Sequence, residues 1–199
     1  MRVANLKKVA TLFQYFHSIL HLNLSMRRFF YLLLIILFPF LSFSQQWKTF
    51  TDTAGKFTAS YPANWINKVK EGNRVFFTSP ADSETDKFYE NINISVTQKA
   101  GYGTEITIKD LFPAVSNTLK KQFTDFKEES VKYFKWNNMN AAEIIFSGKN
   151  KLDESFNTRT TQWYCFFKSR LYLVTYVAQA EVKKHNETAK KIMTGILFK

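Results

Sequence analysis

The sequence predicts an α+β fold, an antiparallel β-sheet sandwiched by helices. Three observations predict it. After residue 44, short segments in which apolar and polar residues alternate recur as far as residue 179, the pattern of half-buried strands. Neighbouring segments are separated by only a few turn-forming residues, and strands joined so tightly must pair antiparallel. Two segments in this region, near 108–123 and 182–196, instead repeat their apolar residues at helical spacing. The order is strands, helix, strands, helix, and helices laid over an antiparallel sheet bury its apolar faces.

Each element has its own signal. Gln45 to Tyr61 opens the domain and carries the turn signal Asp52-Thr53-Ala54-Gly55. Phe57, Ala59 and Tyr61 alternate with Thr58 and Ser60, and Pro62 stops that strand because it has no N–H for the ladder. Ile66–Val69 and Arg74–Thr78 flank Glu71-Gly72-Asn73, a hairpin connection. Residues 80–89 form a polar loop. Ile92, Ile94 and Val96 alternate with Asn91, Asn93 and Ser95 in another strand, which Ala100-Gly101-Tyr102-Gly103 breaks. Ile108, Leu111, Phe112, Val115, Leu119 and Phe123 then mark one face of a helix. Thr107 with Asp110 resembles a capping box. Pro113, however, is best tolerated in a first turn, so Asp110 is an alternative N-cap. Lys120 and Lys121 suit the negative end of the helix dipole. Phe126–Trp136 and Ala141–Ser147 read as strands around the turn Asn137-Asn138-Met139-Asn140. Thr158–Lys168 and Leu171–Gln179 read as a second hairpin across Ser169-Arg170. Val182, His185, Ala189, Ile192, Met193 and Ile196 make one face of a closing helix.

The first 44 residues follow a different logic. They contain five Lys and Arg and no Asp or Glu, and Arg27-Arg28 directly precede the apolar run Phe29 to Phe43. That run is shorter than the ~20 residues of a membrane span. It ends in Ser42-Phe43-Ser44, giving the charged, apolar and small-residue parts of a secretory signal peptide. Residues 26–44 are therefore expected to be the signal peptide, cleaved after Ser44; an uncleaved anchor is the alternative. Residues 1–25 are an extra N-terminal segment, or lie ahead of the true start at Met26. Residues 45–199 are expected to form one domain, periplasmic or extracellular after export and monomeric, touching the membrane only through the leader.

Charge must be divided the same way. The chain has 28 Lys and Arg against 16 Asp and Glu, a net +12. Removing the five leader cations leaves 23 against 16, or +7, on the domain. Export makes nucleic acid an unexpected target for that surplus. The single Cys excludes an intramolecular disulfide framework or a multi-Cys zinc site.

No Ser/His/Asp arrangement, paired-carboxylate motif or phosphate-cradling loop appears, so no enzymatic activity and no cofactor are expected. Cys165 stands in Trp163-Tyr164-Cys165-Phe166-Phe167, surroundings that raise a thiol pKa, and reads as core. His185, on the apolar face of the closing helix, reads as a satisfied histidine. Tyr61, Trp65 and Trp163 are candidates for an aromatic ligand pocket, although aromatics at strand ends more often pack. Asp82, Glu84 and Asp86, with Glu90 nearby, offer carboxylates at alternate loop positions that could bind calcium. A solvated acidic loop is the simpler account, since no Gly supplies the bend of an EF-hand. Lys183, Lys184, Lys190 and Lys191, with Lys199 close by, could receive anions from one helix face or be merely solvated.

The run Gly55-Lys56-Phe57-Thr58-Ala59-Ser60-Tyr61-Pro62-Ala63-Asn64-Trp65 resembles the opening of PsbP-like domains, where an alternating strand ends in an aromatic-Pro pair followed by Trp. The later order of strand, helix, hairpin and C-terminal helix is similar too, so the resemblance spans about 47–198. It implies the antiparallel sheet between helices that this family shares with Mog-type Ran-binding proteins. Plant members are extrinsic photosystem II subunits that assist calcium and chloride retention; nothing in this sequence indicates that context. The expectation is an exported, non-catalytic accessory domain that docks onto an envelope protein or holds a small ligand between sheet and helix. The alternatives are a calcium-dependent or enzymatic protein using the 82–90 loop, and a surface module that binds anionic polymers through its C-terminal lysines.

Overall fold

Ten strands and two helices form along residues 45–199, the part of the chain, apart from Asn73, that the computed structural model describes. The expected extra segment (1–25) and signal peptide (26–44) lie outside the described residues. In chain order the elements are β1 (Trp47–Asp52), β2 (Phe57–Pro62), β3 (Ile66–Lys70), β4 (Arg74–Thr78), β5 (Asn91–Gln98), α1 (Ile108–Gln122), β6 (Phe123–Trp136), β7 (Met139–Asn150), β8 (Asp153–Phe167), β9 (Arg170–Gln179), α2 (Asn186–Thr194) and β10 (Leu197–Phe198). Among these, no helix is long and apolar enough to cross a membrane.

Seven strands make one antiparallel sheet in the order β3-β4-β5-β9-β8-β7-β6. β1, β2 and β10 make a second, smaller one. The period-two alternation gives the large sheet two apolar faces. On one, Val75, Phe77, Ile92, Ile94 and Val174 pack against Phe57 and Ala59 of the small sheet and Ala189, Ile192 and Met193 of α2. On the other, Ala142, Ile144, Phe146, Tyr164 and Phe166 receive Ile108, Phe112 and Leu119 of α1. The sandwich is thus α+β as the sequence predicts, with one cover built from a small sheet together with α2.

Local chemistry explains where the boundaries differ from expectation. Thr107 Oγ1 accepts from Asp110 N and the Asp110 carboxylate accepts from Thr107 N at 2.9 Å, so the capping box sets the start of α1. Asp110 is not the N-cap, and Pro113 stays inside the helix on its exposed side. The β6–β7 connection is the pair Asn137-Asn138, with φ of 48° and 67°, rather than a four-residue turn. Paired positive φ values of this kind match the twist of the flanking strands, and Asn tolerates them. The β8–β9 turn falls at Lys168-Ser169, φ 49° and 57°, one residue earlier than expected.

α2 begins at Asn186, not Val182. His185 occupies its N-cap position, and turn bonds from Val182 N to Gln179 O and Asn186 N to Lys183 O replace the first expected helical turn. β10 follows after Gly195. It exists because Phe198 packs on Tyr172 and Trp136 (ring centroids 4.4 and 4.9 Å) while Leu197 and Phe198 pair with β2. The fully buried Tyr172 also ties the two sheets, its hydroxyl donating to Gly55 O at 2.9 Å. Gly148 permits the bulged start of β6: a Cβ there would lie 2.8 Å from Thr124 O.

Candidate functional site

α1 lies over β6, β7 and β8 and leaves the β5–β9 part of the same sheet face open. The alternation that buries Ile92 and Ile94 turns Asn91, Asn93 and Ser95 toward this open side. Cross-strand pairing then assembles a row: Asn93 lies opposite Thr175, and Thr175 lies opposite Gln162. One step along, Val177 lies between Asn91 and Thr160. These residues floor a cleft of about 560 Å³, walled by Leu119, Gln122 and Phe123 at the end of α1 and by the β7–β8 turn at Leu152.

The floor is polar and only partly satisfied. Thr160 is 2% exposed and its Oγ1 has no hydrogen-bond partner. The hydroxyl of Tyr164 donates to Gln162 Oε1, fixing the amide so that its NH₂ remains a donor. Phe88 and Phe156 meet edge-on at the rim, 5.1 Å between centroids. Arg74 and Asp153 are the charged lining groups, one of each sign. Backbone N–H of Ser155 bonds Asp153 Oδ1 at 3.1 Å, and the Ser155 hydrogen bonds hold that carboxyl below its usual range.

The residues singled out from sequence lie elsewhere. Tyr61, Trp65 and Trp163 are all buried on the opposite face of the large sheet. Tyr61 donates to Asn67 Oδ1, Trp65 meets the His185 ring edge-on, and Trp163 packs on Trp136 while its indole N–H donates to Glu143 Oε2. Glu143 is itself buried. The Lys132 ammonium lies 2.8 Å from its Oε1 without the alignment of a directed hydrogen bond. These aromatics hold the core, and Trp163 borders a small cavity beside Glu143.

The acidic loop does not converge on a point. Asp82 accepts from Lys184 Nζ at 2.6 Å and faces His185 Nε2 at 3.0 Å, and the Lys184 hydrogen bond is the main reason its carboxyl sits below the usual range. Asp86 accepts from the backbone of Asp82 and Phe88, Glu84 is exposed, and Glu90 is buried against the Ser79 hydroxyl. Among the described residues, no group of three His, Cys, Asp or Glu side chains is placed to hold a metal ion. Asp86, by bonding Phe88 N at 3.0 Å, helps set Phe88 at the rim of the cleft.

The lysines do not share one helix face. Lys183 and Lys184 precede α2, Lys184 is paired with Asp82, and Lys191 lies over the Trp47 ring at 4.6 Å. Lys190 remains exposed on the helix, and Lys199 follows β10. Cys165 is fully buried, and burial pushes its thiol up to about 12, which removes the thiolate at neutral pH.

Residues 45–196 match the family model of PsbP. The chain belongs to the PsbP family. No significant match is found among curated proteins. Solved structures share the PsbP-type architecture at low identity. PA94 of Pseudomonas aeruginosa, a protein of unknown function, is 12% identical with a TM-score of 0.55, over 77% of this chain and 98% of its own. The cyanobacterial PsbP of Synechocystis, CyanoP, is 10% identical with a TM-score of 0.54, over 80% and 96%. The Ran-binding protein Mog1p of Saccharomyces cerevisiae is 10% identical with a TM-score of 0.52, over 78% and 96%. At such identities the likeness is one of fold.

The cleft of this PsbP-family chain was missed in sequence because alternating polar residues on a strand read as a solvated face. The available signal was the coincidence of Asn91, Asn93 and Ser95 with Thr158, Thr160 and Gln162, two polar stripes on strands that both flank β9.

Proposed function

We propose that this PsbP-family protein is exported and, without catalysing a reaction, holds a small ligand between the large sheet and α1. The observation that carries the reading is the cross-strand row of Asn93, Thr175 and Gln162 on the floor of an open cleft. A few placed polar side chains lining a cleft are what orients a bound small molecule. The cleft volume of about 560 Å³ falls within the range of small-molecule sites. Export is supported by the family match beginning at residue 45, directly after the expected cleavage point at Ser44.

The purified protein should retain a compound when incubated with a small-molecule extract of the producing cells' envelope, washed and denatured for mass spectrometry. The variant Asn93→Ala/Gln162→Ala should lose it. Equal retention by both proteins would refute the cleft as the site. Sequencing the N-terminus of the exported protein should return Gln45; a chain beginning at Met1 or Met26 would refute cleavage.

A further inference from the structure

We infer that the ligand of this cleft is a neutral, polyhydroxylated molecule of the saccharide class, an inference that rests on the cleft being a ligand site. The floor sets the chemistry. Asn93, Thr175 and Gln162 stand in one cross-strand row. Each of these side chains both donates and accepts hydrogen bonds, and so does every hydroxyl of a sugar. A row of such groups is satisfied by a row of hydroxyls without placing like against like.

Charge points the same way. Arg74 and Asp153 cancel, and the Asp153 carboxylate is already bonded by Ser155 N. A charged ligand would give up its hydration for a neutral floor, which is costly. At the rim, the Phe88 and Phe156 rings offer apolar surface to the C–H face of a pyranose. A peptide fits less well. Sheets capture peptides through unpaired strand edges, whereas β5, β9 and β8 are paired on both sides and present side chains only.

The test is a glycan array of neutral and acidic oligosaccharides probed with the labelled protein, followed by calorimetry on the best binder. Neutral glycans should be retained. Gln162→Ala should weaken binding by about tenfold, the effect of one lost hydrogen bond. Lys183→Ala, outside the cleft lining, should leave it unchanged. Circular dichroism checks that each variant is folded, and Asn93→Ala replaces any variant that is not. The saccharide class is overturned if no neutral glycan binds, if acidic glycans or peptides are preferred, or if Gln162→Ala binds like the parent. Should the envelope extract then yield a non-saccharide compound whose retention depends on Asn93 and Gln162, the class fails while the cleft reading stands. Should neither experiment give cleft-dependent binding, both fail.

Discussion

Replacing Thr160 with Val exchanges a hydroxyl for a methyl of nearly the same shape, at a position 2% exposed where Oγ1 meets no partner. In the free protein that hydroxyl gives up its hydration and gains nothing. Unpaired burial of a hydroxyl costs roughly 1–3 kcal/mol. Thr160→Val should therefore stabilise the free domain by about 1–2 kcal/mol. For a domain of this size, each kcal/mol raises the unfolding midpoint by roughly 2–4 °C. Calorimetry should show the rise, and urea unfolding followed by circular dichroism should show a higher midpoint at unchanged slope. A lower midpoint for the variant would show that the hydroxyl is already paired, and the argument from its unpaired burial would fall.

Three other perturbations test the frame around the cleft. Gly148→Ala forces a Cβ to within 2.8 Å of Thr124 O at a φ of 154°, and should lower stability by about 2–3 kcal/mol in urea titration; an unchanged midpoint would mean that β6 shifts freely. Glu143→Ala strands the buried Trp163 indole N–H and should cost about 2–3 kcal/mol, whereas Glu143→Gln keeps an acceptor and should cost less than about 1 kcal/mol; equal losses would show that the hydrogen bond is not what holds Trp163. The Asp82 carboxyl is held low chiefly by the Lys184 hydrogen bond, against an opposing effect of burial and with help from His185. A depressed folded pKa stabilises the protein above the unfolded value near about 4, and that stability is lost as pH falls through the lower folded value. Urea midpoints should therefore drop below about pH 4, and less steeply in Asp82→Asn; parallel curves would refute the linkage.

Much of the fold is legible because local rules and the global arrangement agree. The alternation at Ile92, Ile94 and Val96 places a strand at the centre of the large sheet, and the Thr107–Asp110 capping box starts α1 despite Pro113. What is not legible depends on partners distant in sequence. β10 is two residues long and carries no periodic signal; Phe198 becomes part of a strand only because Tyr172, Trp136 and Phe57 are waiting for it. The division into two sheets is equally hidden. The strand before Pro62 and the one after Trp65 look like successive strands of one sheet, yet β2 and β3 belong to different layers.

The site was obscured by a smaller error. Aromatic residues draw attention in a strand, but Trp163 and Gln162 are neighbours, and one step along a strand exchanges the two faces of the sheet. Trp163 turns toward α2 and the core, while Gln162 turns toward the cleft. Even the right face is not enough. With the turn at Ser169-Arg170, as the sequence suggests, Gln162 would pair with Val177, and Thr175 with Tyr164, leaving isolated polar residues among apolar ones. With the turn at Lys168-Ser169, Gln162 meets Thr175, and β5 brings Asn93 to the same row. The difference lies in which two residues adopt positive φ, and neither Lys168 nor Ser169 is a residue that announces it. A shift of one residue in a turn thus separates an unremarkable polar stripe from a continuous hydrogen-bonding floor, and the floor exists only where the β8–β9 hairpin and the sequence-distant β5 agree on register.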